Sequence, residues 1–220
     1  MAVMARYPDG YFDLAIVDPP YFSGPDKFGY YGERVSSVGV KRDAYPKIGT
    51  WEVPGAEYFK ELFRVSQHQI IWGCNYYAQH IPHVGRIVWD KVNYSSTFSD
   101  AELASCSLHN SVRLFRYMWN GMLQGKSLSE GAIAQGNKAL NERRIHPTQK
   151  PIKLYEWLLR CYAKPEFRIL DTHLGSASSA IAAYHYGVAE FVGAELDEQY
   201  YASALKRFNL LTSQTALFAS

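Results

Sequence analysis

The sequence predicts an α/β protein built on a mostly parallel sheet, and three observations lead there. Short apolar runs stop abruptly in loops that carry polar and aromatic residues. Amphipathic segments of helical period separate those runs. Near the end, a strand, a turn of small residues, a helix and a second strand ending in an acid follow one another, which is a βαβ unit of nucleotide-binding type.

The first strand is Asp13-Leu14-Ala15-Ile16-Val17, whose four consecutive apolar residues leave no polar face for water. It must end at Asp18-Pro19-Pro20-Tyr21. Neither proline has an N–H for a sheet ladder, and a residue before proline is pushed to an extended conformation. The expected result is a stiff loop presenting one carboxylate and one aromatic face at a strand's carboxyl end, where open α/β sheets bind ligands. A strand stop with a surface Asp and Tyr is the plain alternative.

The stretch from about 22 to 54 is rich in Gly, Pro, Ser and Tyr, with scattered Lys and Arg and no period. Its length predicts a mobile, functional loop, and its interleaved aromatic and basic residues suit a nucleic-acid backbone. A helix follows over 55–66, then short strands at Gln69–Trp72 and Arg86–Asp90. Ser99-Asp100-Ala101-Glu102 reads as a helix start or polar turn, and Val112–Tyr117 as an alternating strand. Residues 120–145 are polar and carry little regular signal.

His146-Pro147-Thr148-Gln149-Lys150-Pro151 opens a helix with Ile152, Leu154, Tyr155, Leu158, Leu159 and Tyr162 on its apolar face, and Pro151 suits its first position. Phe167–Asp171 is the next strand, followed by Thr172–Ser179, a helix to Tyr186 and the strand Phe191–Glu195. Asp197 caps a last helix running to about Phe208. Small residues at 175–177 let a ligand approach the helix N-terminus, and Glu195, about 20 residues on, is placed to accept ribose hydroxyls. The dinucleotide pattern G-x-G-x-x-G is absent, which disfavours a pyrophosphate and suits a phosphate-free adenosine such as S-adenosylmethionine. An ordinary helix–sheet packing turn with a solvated Glu is the alternative.

Composition bounds the function. At 220 residues the chain is expected to form a single domain, and 47% apolar with 20% charged residues is typical of a globular one. A net charge of +2 does not itself argue for nucleic acid, so any such binding needs a local patch. Cys74, Cys106 and Cys161 have no paired or metal-ligand spacing, which predicts free thiols, a reducing cytoplasm and no metal. No apolar run is long enough to span a membrane, and no export signal is read at the start.

Taken together, Asp18-Pro19-Pro20-Tyr21, the His146–Pro151 motif, Asp171-Thr172-His173-Leu174-Gly175-Ser176 and Glu195 resemble the amino-methylating DNA methyltransferases. The catalytic motif precedes the cofactor motif, an order similar to the permuted β group of adenine-N6 and cytosine-N4 enzymes, especially forms from phages and prophages. The resemblance runs from about Tyr11 to Phe208. It implies a Rossmann-like, S-adenosylmethionine-dependent methyltransferase fold with helices on both faces of the sheet. The catalytic half would be about 11–118, a short recognition region about 120–145, and the cofactor half about 146–220. DNA is the implied partner, in the cytoplasm of a bacterial or phage-infected cell, in restriction protection or regulation.

The implied roles fall on single residues. Asp18 and the Pro19 carbonyl would hold the exocyclic amine of a flipped base, Pro20 would stiffen the loop, and Tyr21 would stack on the ring. Two acceptors around an aromatic amine favour a pyramidal nitrogen and expose its lone pair. Asp171, Leu174, Gly175, Ser176 and Glu195 would bind the cofactor; Thr148 and Lys150 would hold its methionine carboxylate, with DNA phosphate as the alternative for Lys150. His146 and His173 are expected to be structural.

Departures from the family pattern are as informative. Ala177 stands where relatives commonly carry a second glycine, and Thr172-His173 where they carry Pro-Phe. The catalytic strand comes early, so either the Leu210–Phe218 tail supplies an edge strand or the start is truncated. The recognition region is short, and a homodimer, frequent in this group, would compensate with a second basic surface. D-P-P-Y favours adenine N6 over cytosine N4; methylation of RNA or protein glutamine, or a non-catalytic DNA-binding relative, are the other readings.

Overall fold

The computed structural model describes residues 1–21, 52–93, 99–120, 123–146 and 148–213, together with the backbone of 34–35 and 41–42. In chain order the strands are β1 (Phe12–Val17), β2 (Arg34–Val35) and β3 (Lys41–Arg42), followed by helix α1 (Ala56–Val65). Then come β4 (Ser66–Trp72), β5 (Gly85–Asp90), β6 (Ala101–Cys106), β7 (Val112–Arg116), β8 (Trp119–Asn120) and β9 (Leu123–Gln124). The last part holds α2 (Ile152–Tyr162), β10 (Arg168–Asp171), α3 (Ser178–Tyr186), β11 (Glu190–Gly193) and α4 (Glu198–Ser213).

Seven strands form one sheet in the order β11-β10-β1-β4-β6-β5-β7. Pairing is parallel except around β6, which runs against both β4 and β5. β10 leads outward to β11 on one side, while β1 leads to β4 on the other. The crossover direction therefore reverses between β1 and β10, which opens a crevice at their adjacent carboxyl ends. Two short pairs, β2 with β3 and β8 with β9, are antiparallel and separate from the main sheet.

The apolar run of β1 is buried on both faces. Leu14 and Ile16 join Ile70 and Trp72 of β4 in a core packed by α2 and α3. Ala15 and Val17 join Ile71 and pack against Phe59 and Leu62 of α1. This period-2 division puts helices on both sides of the sheet, as expected for a Rossmann-like fold.

Several elements differ from expectation. Ser99–Glu102 starts no helix: Ala101–Cys106 is strand β6, with Trp72 opposite Ala104 and Asp90 opposite Ala101. Two flanking strands offer it a complete ladder, which outweighs local capping chemistry. Pro151 is the N-cap of α2 rather than its first helical residue, with ψ of 148°. Asp197 does cap α4, its Oδ1 accepting from the Gln199 and Tyr200 N–H groups at 2.9 and 3.0 Å. α4 then continues to Ser213, so Leu210–Ser213 is helical and not an edge strand, while 214–220 lie outside the described residues. The expectation of a mobile loop at 22–54 falls almost wholly outside them too.

Candidate active site

The β1 end presents Asp18 as expected. One carboxylate oxygen, Oδ2, receives the Lys150 ammonium. The other, Oδ1, is buried and has no hydrogen-bond partner among the described residues. The loop around it is braced: the Tyr77 hydroxyl donates to the Pro20 carbonyl, and Pro19 is buried. Tyr21 lies against Gly73, where φ is +68° and a Cβ would overlap the Tyr21 ring, so this turn needs glycine twice over. The exposed Tyr76 ring stacks on Tyr21 with centroids 4.5 Å apart and planes within 8°.

Behind Asp18 runs a chain of charges. Lys150, with a side chain only 4% exposed, also contacts Glu102 Oε2 at 3.0 Å, and Lys91 binds the other oxygen of Glu102. The Lys150 ammonium lies 5.6 Å over the Trp72 ring. Burial raises the Asp18 carboxyl above its ordinary value, with Lys150 opposing that rise. Burial works against Glu102 as well, yet its two lysines hold it down to about 2. Burial likewise disfavours the Lys150 charge, but the two carboxylates raise its pKa above the ordinary lysine value.

The β10 end is the counterpart. Asp171 is 2% exposed and accepts from Ser179 Oγ at 2.6 Å and the His173 N–H at 3.0 Å. Burial pushes it up to about 7. Gly175, at φ +53°, turns the chain, and its N–H donates to Glu195 Oε2 at 2.8 Å. The other Glu195 oxygen accepts from the Asp197 N–H at 3.1 Å. Ala177 sits at φ +60° as the N-cap of α3, in the left-handed region that explains why a glycine suits the position. Ser176 is buried, and its carbonyl accepts from Arg207 at 2.6 Å.

The structure therefore gathers Asp18, Pro19, Pro20, Tyr21 and Lys150 at one strand end, and Asp171, Leu174, Gly175, Ser176 and Glu195 around the next. Thr148 stands apart: it is exposed, and its hydroxyl pairs with His146 Nδ1 at 3.0 Å. His146 and His173 are both pushed down to about 4 by burial, so neither is charged near neutral pH. Glu102 and Lys91 were not assigned from sequence, because the contacts that join them to Lys150 and to each other form only between separate elements of the fold. Tyr58, whose hydroxyl meets Thr172 Oγ1 at 2.6 Å, and the buried Tyr155, whose phenol feels both Asp171 and Asp18, escaped for the same reason. An apolar cavity of about 610 Å³ lies between α3, β11 and α4; Leu174 of the Gly175 turn lines it, but none of Asp18, Tyr21, Asp171 and Glu195 does.

Comparison with known proteins decides the family. The family model described as DNA methylase, covering N6 and N4 enzymes, matches residues 86–206, more than half of the chain. The chain belongs to this DNA methylase family. The match begins after β4 and so does not include Asp18–Tyr21. YubD of Escherichia coli (strain K12) is 25% identical over 214 residues, covering 93% of this chain and 85% of that one. The type II methyltransferase M2.LlaDCHI of Lactococcus lactis subsp. cremoris is 22% identical over 226 residues, 90% of this chain and 82% of that one. Among solved structures, the M1.HpyAVI–SAM complex superposes with a TM-score of 0.54 at 14% identity, covering 94% of this chain and 92% of that chain. The cytosine-N4-specific PvuII DNA methyltransferase gives 0.55 at 12%, covering 96% and 86%. The fold is thus the Rossmann-like one of the S-adenosylmethionine-dependent DNA methyltransferases.

Proposed function

We propose that this methylase transfers the methyl group of S-adenosylmethionine to the exocyclic N6 of an adenine flipped out of DNA. The observation that carries the reading is the buried Oδ1 of Asp18, without a partner among the described residues, at the reversal point of the sheet, one strand from the Gly175 turn. A buried acceptor without a donor is costly, and a substrate amine is the donor it lacks.

The residues at the β10 end fit the cofactor. Asp171 is buried and, among the described residues, has no cation as a hydrogen-bond partner, which suits a positively charged ligand. Glu195 holds the turn's N–H groups with one bond to each oxygen, leaving lone pairs for a ribose diol. Leu174, Gly175 and Ser176 form the floor of that turn. When bound, the cofactor supplies a methyl group already activated on a sulfonium. Asp18 and the Pro19 carbonyl then orient the amine, Tyr21 replaces the base's lost stacking, and the leaving proton passes to Asp18 Oδ1 or water. Positioning, not a strong base, supplies the acceleration.

Cytosine N4 is the second reading, favoured by the PvuII fold likeness; Asp18 in place of serine favours adenine. Digestion of DNA from cells expressing the chain, followed by nucleoside analysis, tests both: N6-methyladenine is expected, and N4-methylcytosine alone rejects adenine. Residues 120–145 are read as the recognition region. Within them the Gln124 side chain and the Glu142 backbone pair through hydrogen bonds of 2.9 and 2.7 Å. The Glu142 carboxylate ties them to the body, accepting from the Ile152 N–H at 2.8 Å and from Arg207 at 2.9 Å, with Arg144 lying over Trp119. A homodimer would add the second DNA-binding surface. Resemblance to a type II methyltransferase supports a role in restriction–modification, in a bacterial or phage-infected cytoplasm. Among the described residues no helix is long and apolar enough to cross a membrane, and no group of His, Cys, Asp or Glu could hold a metal ion.

A further inference from the structure

The chain Asp18–Lys150–Glu102–Lys91 links four elements that are distant in sequence: the β1 end, the approach to α2, strand β6 and the β5 end. Two acids and two bases leave it electrically neutral. Buried charges of this kind persist only when each has partners, and removing one strands its neighbours. Lys150 is the hub. Its ammonium contacts two carboxylates and faces the Trp72 ring on another side, and with a side chain 4% exposed it cannot reach a DNA phosphate. Its backbone is fixed as well, because its carbonyl accepts from Ser178 Oγ at 2.8 Å, at the first residue of α3. That serine also accepts from Arg207 at 3.1 Å, and Arg207 reaches the Ser176 carbonyl in the cofactor turn.

We propose that Lys150 is a positioning residue for methyl transfer: held by Glu102 and by the start of α3, it fixes Oδ2 of Asp18 so that Oδ1 is presented to the substrate amine. The role rests on the reading of Asp18 as the amine acceptor and differs from the cofactor-carboxylate role that family resemblance implies for this lysine. It also gives Asp18 a built-in counter-charge, so the carboxylate is ready before the base arrives. Lys91 keeps Glu102 ionised and thereby keeps the far end of the chain anchored.

The pH dependence of turnover is the readout that a merely structural lysine would not move. The groups that act on Asp18 or feel its charge are Lys150, Glu102 and Lys91, the tyrosines Tyr21, Tyr58, Tyr77 and Tyr155, and Asp171 on the neighbouring strand. Burial raises the phenols above their ordinary value, so they stay neutral across the useful range. Asp171, pushed up to about 7, also titrates near the acid limb, but it is the same in every variant. A difference in the limb between wild type and variants therefore reports the charges of the chain.

The test compares the wild-type chain with Lys150→Met, Lys150→Arg and Glu102→Gln, measuring turnover on DNA against pH and S-adenosylmethionine binding by calorimetry. Lys150→Met is expected to lower kcat on the order of 100-fold and move the acid limb up by roughly one pH unit or more, with cofactor affinity within about threefold. Lys150→Arg restores part of the loss. Glu102→Gln moves the limb the other way, to lower pH, because it removes a negative neighbour of Asp18. An unchanged limb in both Lys150→Met and Glu102→Gln overturns the proposal. So does a Lys150→Met protein that keeps kcat and loses cofactor affinity, since the lysine would then serve the methionine carboxylate. Where circular dichroism shows that Lys150→Met does not fold, the direction of the Glu102→Gln shift decides alone. A wild-type chain that methylates no DNA rejects the methyltransferase reading itself; an active one with unshifted variants rejects only the role of Lys150.

Discussion

Asp18 and Asp171 end neighbouring parallel strands, yet their surroundings make them different chemical groups. Asp18 has a lysine on one oxygen and, among the described residues, nothing on the other. Asp171 has a serine hydroxyl and a backbone N–H and, among the described residues, no cation. The first is a charged acceptor whose balance is internal and whose open oxygen faces a neutral amine. The second is a carboxyl raised to about 7 by burial, whose missing counter-charge is the ligand's to bring. The same residue at the same kind of strand end thus handles substrate in one case and cofactor in the other, because only one of them was given a lysine.

The contrast can be broken most severely at Asp18. Asp18→Ala is expected to reduce methyl transfer by about 10²–10³-fold while leaving calorimetric binding of S-adenosylmethionine intact. Undiminished turnover would remove the mechanism. Asp171→Ala should do the reverse, weakening cofactor binding by about 10–100-fold, the worth of a hydrogen bond to a charged group. Tyr21→Ala should raise the KM for DNA by about tenfold with cofactor affinity unchanged, since stacking on one base is worth about 1–3 kcal/mol.

A gentler probe is pH. Below about 7 Asp171 holds a proton that a cationic ligand must displace. Cofactor affinity should therefore rise with pH up to about 7, by at most roughly tenfold per unit, and then level off. The slope should vanish in Asp171→Asn, as followed by calorimetry in buffers of different ionisation enthalpy. Linkage also fixes the stability trend. A carboxyl raised on folding favours the folded state fully below its unfolded value, and that contribution is lost as pH rises through about 7. The thermal midpoint of the free wild-type protein should fall across that window more than that of Asp171→Asn.

The smallest expected effect lies at the turn that leads from β10 into α3. Ala177 holds φ +60° without the freedom of glycine. Ala177→Gly should relieve that strain and stabilise the protein by about 1 kcal/mol in urea unfolding. A loss of stability instead would show that the buried methyl packs better than its backbone is strained.

Legibility followed the range of the interactions. Asp18–Tyr21 could be read because prolines stop a strand wherever they occur, and Gly175 with Glu195 because the spacing of a βαβ turn is local. The Ser99–Glu102 segment could not. Its polar residues resemble a cap, and only the ladders of β4 and β5 on either side make a strand of Ala101–Cys106. Lys150 was found by its motif, but its partners were not: Asp18 lies 132 positions away and Glu102 comes from another strand.

By itself the sequence determined the strand ends, the small-residue turn and the acid beyond it, because backbone chemistry and residue period act over a few positions. The tertiary structure alone decided which carboxylate received a counter-charge. Packing β6 beside β4 and α2 across β1 brings Glu102, Lys150 and Asp18 into a site too dry to tolerate an unpaired ion, and no local pattern encodes that meeting.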